Sequence, residues 1–595
     1  MEQTTQDSPP PATTPAGRLR QLVSRAPDLL VVLVASIAFG LSFGLNYGVD
    51  NQTAYMLSSL RLLDPAALAN DWYASGPAGF HPTFAYLGWF LLSLDRGGFY
   101  VGALLVAVAS LGAMCFYWLA SVLWERRVAL ASFLLLLALL FVTRTRSVAV
   151  SYAFDFILQA STLGSLFLIA ALPPFIAGRY FLSGVMLALS GLFHANYLVL
   201  GIGTFGFAHL VLGWKDLPKR LLHQFALPAA ATLLLAPLIL RSVSSPDAAA
   251  AQDILFNVRS PHHYVPKNFR ANFFSLAAWQ MLGIGAGAWL LREGADKGKR
   301  LGALLLAFAV LLWTGTALTT WVWIPRFAQI FVWRFAPYHN ILLGLLFCGA
   351  IVHVATRPSL AAKLSPTSLA LALGGLVSLG MLDNGGGDDD EKTSSMAAVL
   401  LLTLLPAALG LAALGVGKLG ERFGVALAGA RGWLTRHGAW LVAALALVVC
   451  VGVGRPYVAS YRSRSNVLNP AAGPEHELFK WVRANTDKGA VFLTPPSMDK
   501  FRLWAERAIV VDWKGCPIVP SDIVEWYHRL EDVSGRKKFR KRGDVNDGYA
   551  TLDAARLQAL KSKYGLSYVV VGRGKEQGLP GKVVYKNGRF VVVQL

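Results

Sequence analysis

The chain has 595 residues, of which 55% are hydrophobic, and a formal net charge of +21. Its apolar residues occur in blocks of about 15 to 22 separated by short basic loops, which excludes an ordinary soluble protein and predicts a polytopic α-helical membrane protein. Many basic residues lie in those loops, where the positive-inside bias of membrane insertion places them, so the charge does not indicate nucleic-acid binding.

The chain begins with a polar, Pro-rich stretch at residues 1–27. Few apolar residues occur in it, so we predict a disordered cytoplasmic tail. An apolar block at 29–43 follows and is long enough to cross most of a bilayer as a signal anchor.

This block leads into a polar loop at 46–79 with an acid near each end. Asp50 leaves the block within about two helical turns of the hydrocarbon edge, where a carboxylate is costly unless it is solvated or used. Between Asp50 and Asp71, apolar residues recur at roughly helical spacing, which predicts short helices on the membrane face. His81 and Pro82 open the next apolar block.

Further apolar blocks continue along the chain and define a predicted transmembrane domain at 28–456. They lie at about 99–123, 128–142, 157–175, 179–192, 196–213, 223–241, 273–292, 301–319, 338–356, 366–382, 396–416 and 438–454. Loops rich in Lys and Arg alternate with loops poor in them, so the basic loops are predicted to be cytoplasmic. The loops at 242–272 and 383–395, and everything after Arg455, then face outward.

An outward C-terminal region requires an odd number of spans. We therefore predict about 13 spans, with one block between 98 and 177 that does not cross. The candidate is 151–159, where Asp155 interrupts an apolar run. Either this segment is irregular or half-crossing, or Asp155 pairs with Arg144 or Arg146.

From about residue 470 the composition becomes mixed, which predicts a soluble extracytoplasmic α/β domain at 470–595 with its own core. Helices are predicted at 475–485, 501–507, 521–530 and 552–564, and strands at 490–494, 508–513, 568–572, 583–585 and 590–593. The last two strands form a predicted hairpin. A basic run is predicted to be a solvated loop, with contact to anionic lipid or an acidic polymer as the alternative: Lys537, Lys538, Arg540, Lys541 and Arg542.

Several carboxylates, imidazoles and guanidiniums gather on the predicted outward side. They are Asp50, Asp71, His81, His194, Arg259, His262, His263, Tyr264, Lys267, Arg270, Arg326 and Arg334. Such groups can move a substituent from a phosphate to a hydroxyl, because a carboxylate accepts the proton and cations stabilise the departing phosphate. Arg334 has apolar neighbours and needs a partner or an anionic ligand, since an unpaired guanidinium there costs at least about 2.5 kcal/mol.

Structural roles are the alternatives for these residues. Asp50 can cap the helix that begins near Thr53, and Asp71 can cap or turn the chain before the following Gly-Pro pair. His81 can start an interfacial helix, and His194 can be a packed core histidine.

Metal binding is a further alternative. His262 and His263 could ligate a metal with Asp50 or Asp71, but adjacent histidines diverge in most backbone conformations. Three of the four cysteines lie in apolar blocks, and Cys516 is alone in the C-terminal region. We therefore predict no required metal and no disulfide framework, and leave a divalent metal open.

The predicted architecture resembles the GT-C superfamily of integral-membrane glycosyltransferases. It has one anchor helix, then a loop with an acid at its start and a second acid about twenty residues on. About a dozen further spans and a C-terminal outer domain follow. The motif signal is confined to Asp50 and Asn70-Asp71-Trp72. The resemblance implies sugar transfer from a polyprenyl-phosphate carrier, with Asp50 as general base on the acceptor hydroxyl and Asp71 as second acid. Trp72 stands where a DxD-like motif would carry a further acid or histidine.

Other roles follow from chemistry rather than from a motif match. Candidates for binding the donor phosphate are Arg334, Arg259, His262 and His263. Candidates for acceptor binding or support are His81, His194 and Tyr264.

The sequence thus predicts a plasma (inner) membrane glycosyltransferase of the hexosyl- or pentosyltransferase class, acting on the outer face with inversion. Its predicted partners are a polyprenyl-phosphate sugar donor, membrane lipid, and a glycan, lipid or protein acceptor. The alternatives are a transporter or flippase of lipid-linked glycan, a non-catalytic assembly subunit, and another lipid-phosphate transferase. Transporters usually show repeated halves, and no two matching halves occur here.

Overall fold

The computed structural model describes residues 15–75, 81–143, 146–243, 245–266, 269 and 272–356, scattered residues between 437 and 452, and residues 461–469 and 472–595. The predicted spans at 366–382 and 396–416, the loop at 383–395 and most of the span at 438–454 lie outside the described residues. Within the described part, the chain forms a bundle of apolar helices and a C-terminal sheet domain.

Before residue 357, the apolar blocks form helices, as their composition predicts. The longer helices are Pro15–Leu41, Pro82–Leu94, Phe99–Leu123, Arg126–Thr143, Ala160–Ile176, Tyr180–Phe193, Ala195–Val211, Leu217–Val243, Asn272–Glu293, Asp296–Thr320 and Ala336–Thr356. The first already includes residues from Pro15 onward, within the stretch predicted to be a disordered tail.

Three helices among the described residues are long and apolar enough to cross a membrane: Phe99–Leu123, Asp296–Thr320 and Phe327–Val352. Several shorter apolar helices accompany them. The chain is therefore an integral membrane protein with a helical bundle, and the count of about 13 spans stays a prediction.

The helices bury one set of apolar side chains and leave another uncovered. Phe116, Phe133 and Phe308 are fully buried in a core that the helices share. Leu233 and Leu234, by contrast, are 76% and 71% exposed. Large apolar side chains on the outside of a helical bundle are expected where the bundle faces lipid.

The segment that leads into the helix beginning at Ala160 is irregular, as predicted for 151–159. It contains two short antiparallel strands, β1 (Arg146–Ser147) and β2 (Ser151–Tyr152), and no regular helix from residue 153 to 159. A block in this part of the chain therefore does not continue as one straight helix.

Asp155 makes local hydrogen bonds in this segment. Its carboxylate accepts from the backbone N–H of Phe156 at 2.8 Å and from Nε2 of Gln159 at 3.4 Å. The side chains of Arg144 and Arg146 lie outside the described residues, so their pairing with Asp155 stays a prediction.

The loops at 46–79 and 242–272 contain the short helices that position the site. They are Gln52–Tyr55, Leu57–Leu63, Ala248–Ile254 and Pro261–Tyr264, with a π-helical turn at Leu255–Arg259. The aromatic-rich stretch before the helix Ala336–Thr356 forms the short helix Pro325–Gln329 and a 3₁₀ turn at Val332–Phe335. Short helices in the 46–79 loop were predicted and are confirmed.

The C-terminal domain contains a five-stranded mixed sheet. Its strands are β3 (Val491–Leu493), β4 (Ala508–Ile509), β5 (Tyr568–Gly572), β6 (Lys582–Lys586) and β7 (Phe590–Gln594). The order is β4-β3-β5-β7-β6, with β3 parallel to β4 and β5 and with antiparallel pairing from β5 through β7 to β6. Its helices are Pro474–Asn485, Phe501–Ala505, Pro520–Ser534, Arg542–Tyr549 and Ala554–Tyr564.

Alternation along the central strands puts apolar side chains on both faces of this sheet. Val569 and Val571 pack in one buried cluster and Val570 in the other, because successive side chains of a strand point to opposite faces. The predicted α/β elements are confirmed, but the strand predicted at 508–513 is shorter and the helix Arg542–Tyr549 was not predicted.

The C-terminal domain packs directly on the two loops. Gly48 has φ +68°, and a Cβ there would lie 2.4 Å from the ring of Trp504, whose Nε1 donates to the Gly48 carbonyl at 3.1 Å. Lys488 pairs with Asp64 at 2.6 Å. Ala251 of the 242–272 loop is buried in the apolar core of the C-terminal domain. The domain and the loops thus enclose a shared space.

Candidate functional site

A cavity of about 1050 Å³, counting its open mouth, lies where the two loops and the C-terminal domain meet. Its polar lining includes Asn51, Tyr55, His81, Arg259, Lys514 and Asp522. Phe84 and Ala85 of the apolar helix Pro82–Leu94 line it as well. The cavity therefore joins polar loops to the end of an apolar helix.

Asp50 lies at the rim of this cavity. Its neighbour Asn51 and its ion-pair partner Lys514 both line the cavity, and the Asp50 and Lys514 side chains are 34% and 26% exposed. The φ of Asp50 is +50°, a left-handed conformation that costs a non-glycine residue roughly 1 kcal/mol and is held by its surroundings.

The side chain of Asp50 does not cap the following helix. That helix has Asn51 at its N-cap and no capping hydrogen bond from a side chain. Thr53 instead donates its hydroxyl to the backbone carbonyl of Asp50 at 2.7 Å. The capping role weighed for Asp50 is therefore wrong, and its carboxylate is presented to Lys514 and solvent.

Asp71 is fully buried, and both of its carboxylate oxygens are occupied. One oxygen accepts from the backbone N–H groups of Tyr73 at 3.1 Å and Ala74 at 2.9 Å. The other accepts from Nε of Arg502 at 2.8 Å and from the N–H of Ile509 at 3.0 Å. These hydrogen bonds give Asp71 a structural role in turning the chain, which was the alternative to catalysis. They give no support to a second catalytic acid at this position.

Arg502 connects Asp71 to the C-terminal domain. Its side chain is 1% exposed and bridges Asp71 and Asp512. Burial raises the pKa of Asp512, and the charge of Arg502 opposes that rise. Asp512 also accepts from the N–H of Gly515 at 2.5 Å, so a buried network of charges leads directly to the backbone beside Lys514.

Arg334 lies behind the cavity wall on the 3₁₀ turn Val332–Phe335. Its Nη1 donates to Nε2 of His194 at 2.9 Å, and its charge lies 4.9 Å from the centre of the Phe331 ring. No described carboxylate forms an ion pair with it. Because a guanidinium only donates, His194 accepts at Nε2 and is neutral, and burial together with Arg334 lowers its pKa.

His81 links this group to the cavity. Its ring lies 4.8 Å from that of His194 and 5.6 Å from that of Tyr55, measured between ring centres. Burial, with a further contribution from Arg334, lowers the pKa of His81 to about 4. His81 is therefore a neutral hydrogen-bonding group at pH 7 rather than a cation. It also occupies the N-cap position of the next helix, as its structural alternative proposed.

Arg259 lines the cavity at the end of the π-helical turn. Its Nη1 donates to the hydroxyl of Ser260 at 3.3 Å and its Nη2 to the backbone carbonyl of Lys514 at 3.4 Å. Both partners are neutral, and no described carboxylate pairs with Arg259. A guanidinium in this setting keeps its charge available for an anion.

His263 faces a backbone carbonyl rather than an anion. Its Nδ1 lies 2.6 Å from the carbonyl oxygen of Ala149, so Nδ1 carries the proton and donates. Burial, with His262 as the next cause, lowers the pKa of His263 to about 3. Its Nε2 then carries a lone pair and accepts hydrogen bonds. The role predicted for His263 in binding the donor phosphate stays a prediction.

The two neighbours of His263 pack beside it. The rings of His262 and His263 are 4.2 Å apart, and the ring of Tyr264 lies 5.4 Å from that of Phe331. Burial raises the pKa of Tyr264. The roles predicted for His262 and Tyr264 stay predictions.

Three predicted candidates have no described side chain: Lys267, Arg270 and Arg326. Within the described part of the chain, no group of three or more His, Cys, Asp or Glu residues could hold a metal ion.

The contribution of the C-terminal domain to the cavity was not predicted from the sequence. Lys514 and Asp522 line it, and Arg502 and Asp512 hold its wall. The available signal was the placement of Asp512 and Lys514 just after a short buried strand, since side chains that follow strands often lie at functional loops.

Part of the C-terminal domain matches a known family model. The model is described as "Domain of unknown function (DUF6798)" and matches residues 473–533. This range includes Arg502, Asp512, Lys514 and Asp522, which border the cavity. No curated protein matches the sequence significantly.

Three solved structures are similar to this chain in overall arrangement. ArnT from Cupriavidus metallidurans in the apo state is 14% identical, with 97% of this chain and 98% of that chain covered and a TM-score of 0.46. ArnT from the same organism bound to undecaprenyl phosphate is 15% identical, with 98% of each chain covered and a TM-score of 0.43. The Archaeoglobus fulgidus oligosaccharyltransferase tethered with an acceptor peptide is 13% identical, with 91% of this chain and 69% of that chain covered and a TM-score of 0.40.

All three TM-scores are below 0.5, so the resemblance to the GT-C superfamily stays a prediction. Because the identities and TM-scores are low, the function of this chain has to be argued from its own residues.

Proposed function

We propose that this protein is a membrane glycosyltransferase that moves a sugar from a polyprenyl-phosphate-linked donor to an acceptor hydroxyl. The observation that carries the proposal is the cavity lined by Arg259, a cation without a described carboxylate partner, and by Lys514, whose ion-pair partner is the partly exposed Asp50. A cation for a phosphate and a carboxylate for a hydroxyl proton are the two charges that this transfer needs.

In the proposed reaction Asp50 accepts the proton of the acceptor hydroxyl as that oxygen attacks the anomeric carbon. The bond from the anomeric carbon to the phosphate oxygen breaks, and the phosphate leaves with the electron pair. Arg259 stabilises the charge on the leaving phosphate through its guanidinium. A single displacement of this kind inverts the anomeric configuration.

Arg334 has a supporting role in the proposal. It acts on the cavity through the neutral pair His194 and His81, because its guanidinium donates to His194 and His81 lines the cavity. A second positive charge behind the wall lowers the cost of bringing a phosphate into the cavity. His81, being neutral, is available to hydrogen-bond a sugar or acceptor hydroxyl.

The lipid part of the donor has a path to the cavity. Phe84 and Ala85 line the cavity, while Tyr86 and Phe90 on the same helix are 62% and 52% exposed on its outer surface. An apolar chain can therefore lie along the helix Pro82–Leu94 with its phosphate at the cavity. We place this face on the outer side of the plasma membrane, as the loop charges predict.

The test is turnover by the full chain in lipid nanodiscs. Synthetic polyprenyl-phosphate-linked hexoses and pentoses are supplied with membrane extract as acceptor, and release of polyprenyl phosphate is measured. We expect release with at least one donor and its loss in the Asp50→Asn variant. Movement of intact donors across proteoliposome membranes without loss of sugar would overturn the proposal and favour the transporter.

A further inference from the structure

One wall of the cavity comes from the C-terminal domain. The stretch that follows β4 contributes Lys514, Cys516, Pro517 and Ile518 to the lining. Lys514 brings a positive charge to the same space as Arg259, whose Nη2 donates to the Lys514 carbonyl at 3.4 Å. Two cations from different parts of the chain thus border one cavity.

The backbone beside Lys514 is fixed by buried contacts. Asp512 is held by Arg502, and its carbonyl accepts from Nε1 of Trp526 at 2.8 Å. The N–H of Trp513 donates to the carbonyl of Pro496 at 2.8 Å. These contacts fix the backbone position, whereas the four-carbon side chain of Lys514 keeps its freedom to reorient.

The ammonium of Lys514 has capacity for a second anion. It carries three N–H donors, and Asp50 is its ion-pair partner among the described residues. The pair is partly exposed, with 26% of Lys514 and 34% of Asp50 accessible. A partly exposed pair is weak, because water screens its charges, so an incoming phosphate competes with Asp50 on favourable terms.

We infer that Lys514 is a donor-binding residue supplied by the C-terminal domain, and that it turns from Asp50 to the donor phosphate when the donor binds. This inference rests on the proposed function and deepens it. With the donor absent, Lys514 forms an ion pair with Asp50. With the donor bound, Lys514 and Arg259 hold the phosphate together, and Asp50 becomes free to take the acceptor proton. Donor binding thereby prepares the base.

The chain offers a matched control for the purely structural alternative. Lys488 also joins the C-terminal domain to the 46–79 loop through an ion pair, with Asp64 at 2.6 Å. Lys488 is 54% exposed and does not line the cavity. If Lys514 only docks the domain, Lys514→Met and Lys488→Met should have equal effects on the binding of farnesyl phosphate.

The experiment measures binding of farnesyl phosphate to the full chain in nanodiscs by isothermal titration calorimetry. We expect Lys514→Met to weaken binding roughly tenfold or more, which is the usual effect of losing one charge-assisted hydrogen bond. Lys514→Arg should retain most of the affinity, and Lys488→Met should bind like the unmodified protein.

The competition between Asp50 and the phosphate gives a second readout. Asp50→Asn should bind farnesyl phosphate more tightly, because Lys514 is then no longer held by a carboxylate. In the Lys514→Met background the same change should give little gain. This readout concerns tighter binding by a folded protein, so it holds even if Lys514→Met lowers stability.

The outcomes separate the two proposals. Equal binding by Lys514→Met and the unmodified protein, or an Asp50→Asn gain that is the same with and without Lys514, overturns the role of Lys514 and leaves the proposed function standing. No binding of farnesyl phosphate by the unmodified protein overturns both.

Discussion

The two ends of the 46–79 loop each place an aspartate against a basic residue of the C-terminal domain, but in opposite surroundings. At one end Asp50 meets Lys514 at the cavity rim, with a third of its side chain exposed. At the other end Asp71 meets Arg502 in a fully buried network with all its acceptors used. Whether Asp50 or Asp71 is available to accept a proton therefore depends on the hydrogen-bond partners of each carboxylate more than on its position in the sequence.

The comparison also separates stability from activity. A buried pair loses several kcal/mol when one partner is removed, whereas a partly exposed pair contributes little. The Asp71 end should therefore hold the domain in place, and the Asp50 end should carry the reaction.

The largest expected effect is on turnover when Asp50 is changed. Asp50→Asn keeps the shape but removes the proton acceptor, so donor turnover should fall about 10² to 10⁴-fold. Asp522→Asn is the matched control, since Asp522 also lines the cavity but lies in the first turn of a helix and is not the ion-pair partner of Lys514. Initial rates of polyprenyl phosphate release and thermal unfolding midpoints are measured for both. A larger loss for Asp522→Asn would reassign the base.

A comparable effect, on stability instead, is expected at the other end of the loop. Arg502→Met leaves Asp71 and Asp512 buried without their shared cation, which should cost about 3 to 5 kcal/mol. The control is Lys563→Met, which breaks the exposed pair with Asp532 and should cost under about 1 kcal/mol. Thermal unfolding followed by tryptophan fluorescence compares the two. Equal midpoints would mean that the buried network does not hold the domain.

A smaller effect is expected on donor affinity when Arg259 is changed. Arg259→Met removes a cavity guanidinium, so the Kd for farnesyl phosphate should rise roughly tenfold. The Kd of Arg259→Lys should lie between those of the unmodified protein and Arg259→Met. Arg292→Met is the control, because Arg292 is 85% exposed and pairs with its neighbour Glu293. If both Met variants bind alike, Arg259 has no part in the phosphate site.

A further effect, on stability at acid pH, is expected at His263. Its folded pKa of about 3 lies below the ordinary unfolded value near 6.5, so below pH 6.5 the unfolded chain takes up a proton that the folded protein refuses. Stability should therefore fall as pH drops from 6.5 toward 3, by at most about 1.4 kcal/mol per pH unit from this group.

The variant that tests this is His263→Asn, whose side-chain N–H can still reach the Ala149 carbonyl. Unfolding midpoints at pH 7.0 and 4.5 are compared with those of the unmodified protein. The unfolding midpoint of the variant should fall less between pH 7.0 and pH 4.5 than that of the unmodified protein. An unchanged acid dependence would mean that His263 titrates normally in the folded state.

Sequence patterns predicted the elements better than the site. Apolar blocks and strand alternation are local properties, so the helices, the irregular segment near Asp155 and the sheet of the C-terminal domain were predictable. Asp50 was singled out because a charge near a membrane face is costly unless used. Arg259 was singled out because a cation on the same predicted side can stabilise a departing phosphate. Both border the cavity.

The parts of the site that the sequence did not predict depend on contacts between distant parts of the chain. Asp71 lies more than four hundred residues from Arg502, a separation at which no local pattern reports burial or pairing. Lys514 was overlooked for the same reason, since its importance comes from lying opposite Asp50. The contact of His263 with the Ala149 carbonyl also joins distant parts of the chain, so the sequence does not show it.

The most direct test of the central claim is a cryo-EM structure of the full chain in nanodiscs with farnesyl phosphate. We expect phosphate density in the cavity between Arg259 and Lys514, with the Lys514 ammonium turned away from Asp50 and the prenyl chain along the helix Pro82–Leu94. Phosphate density elsewhere, with Lys514 still paired to Asp50, would contradict it.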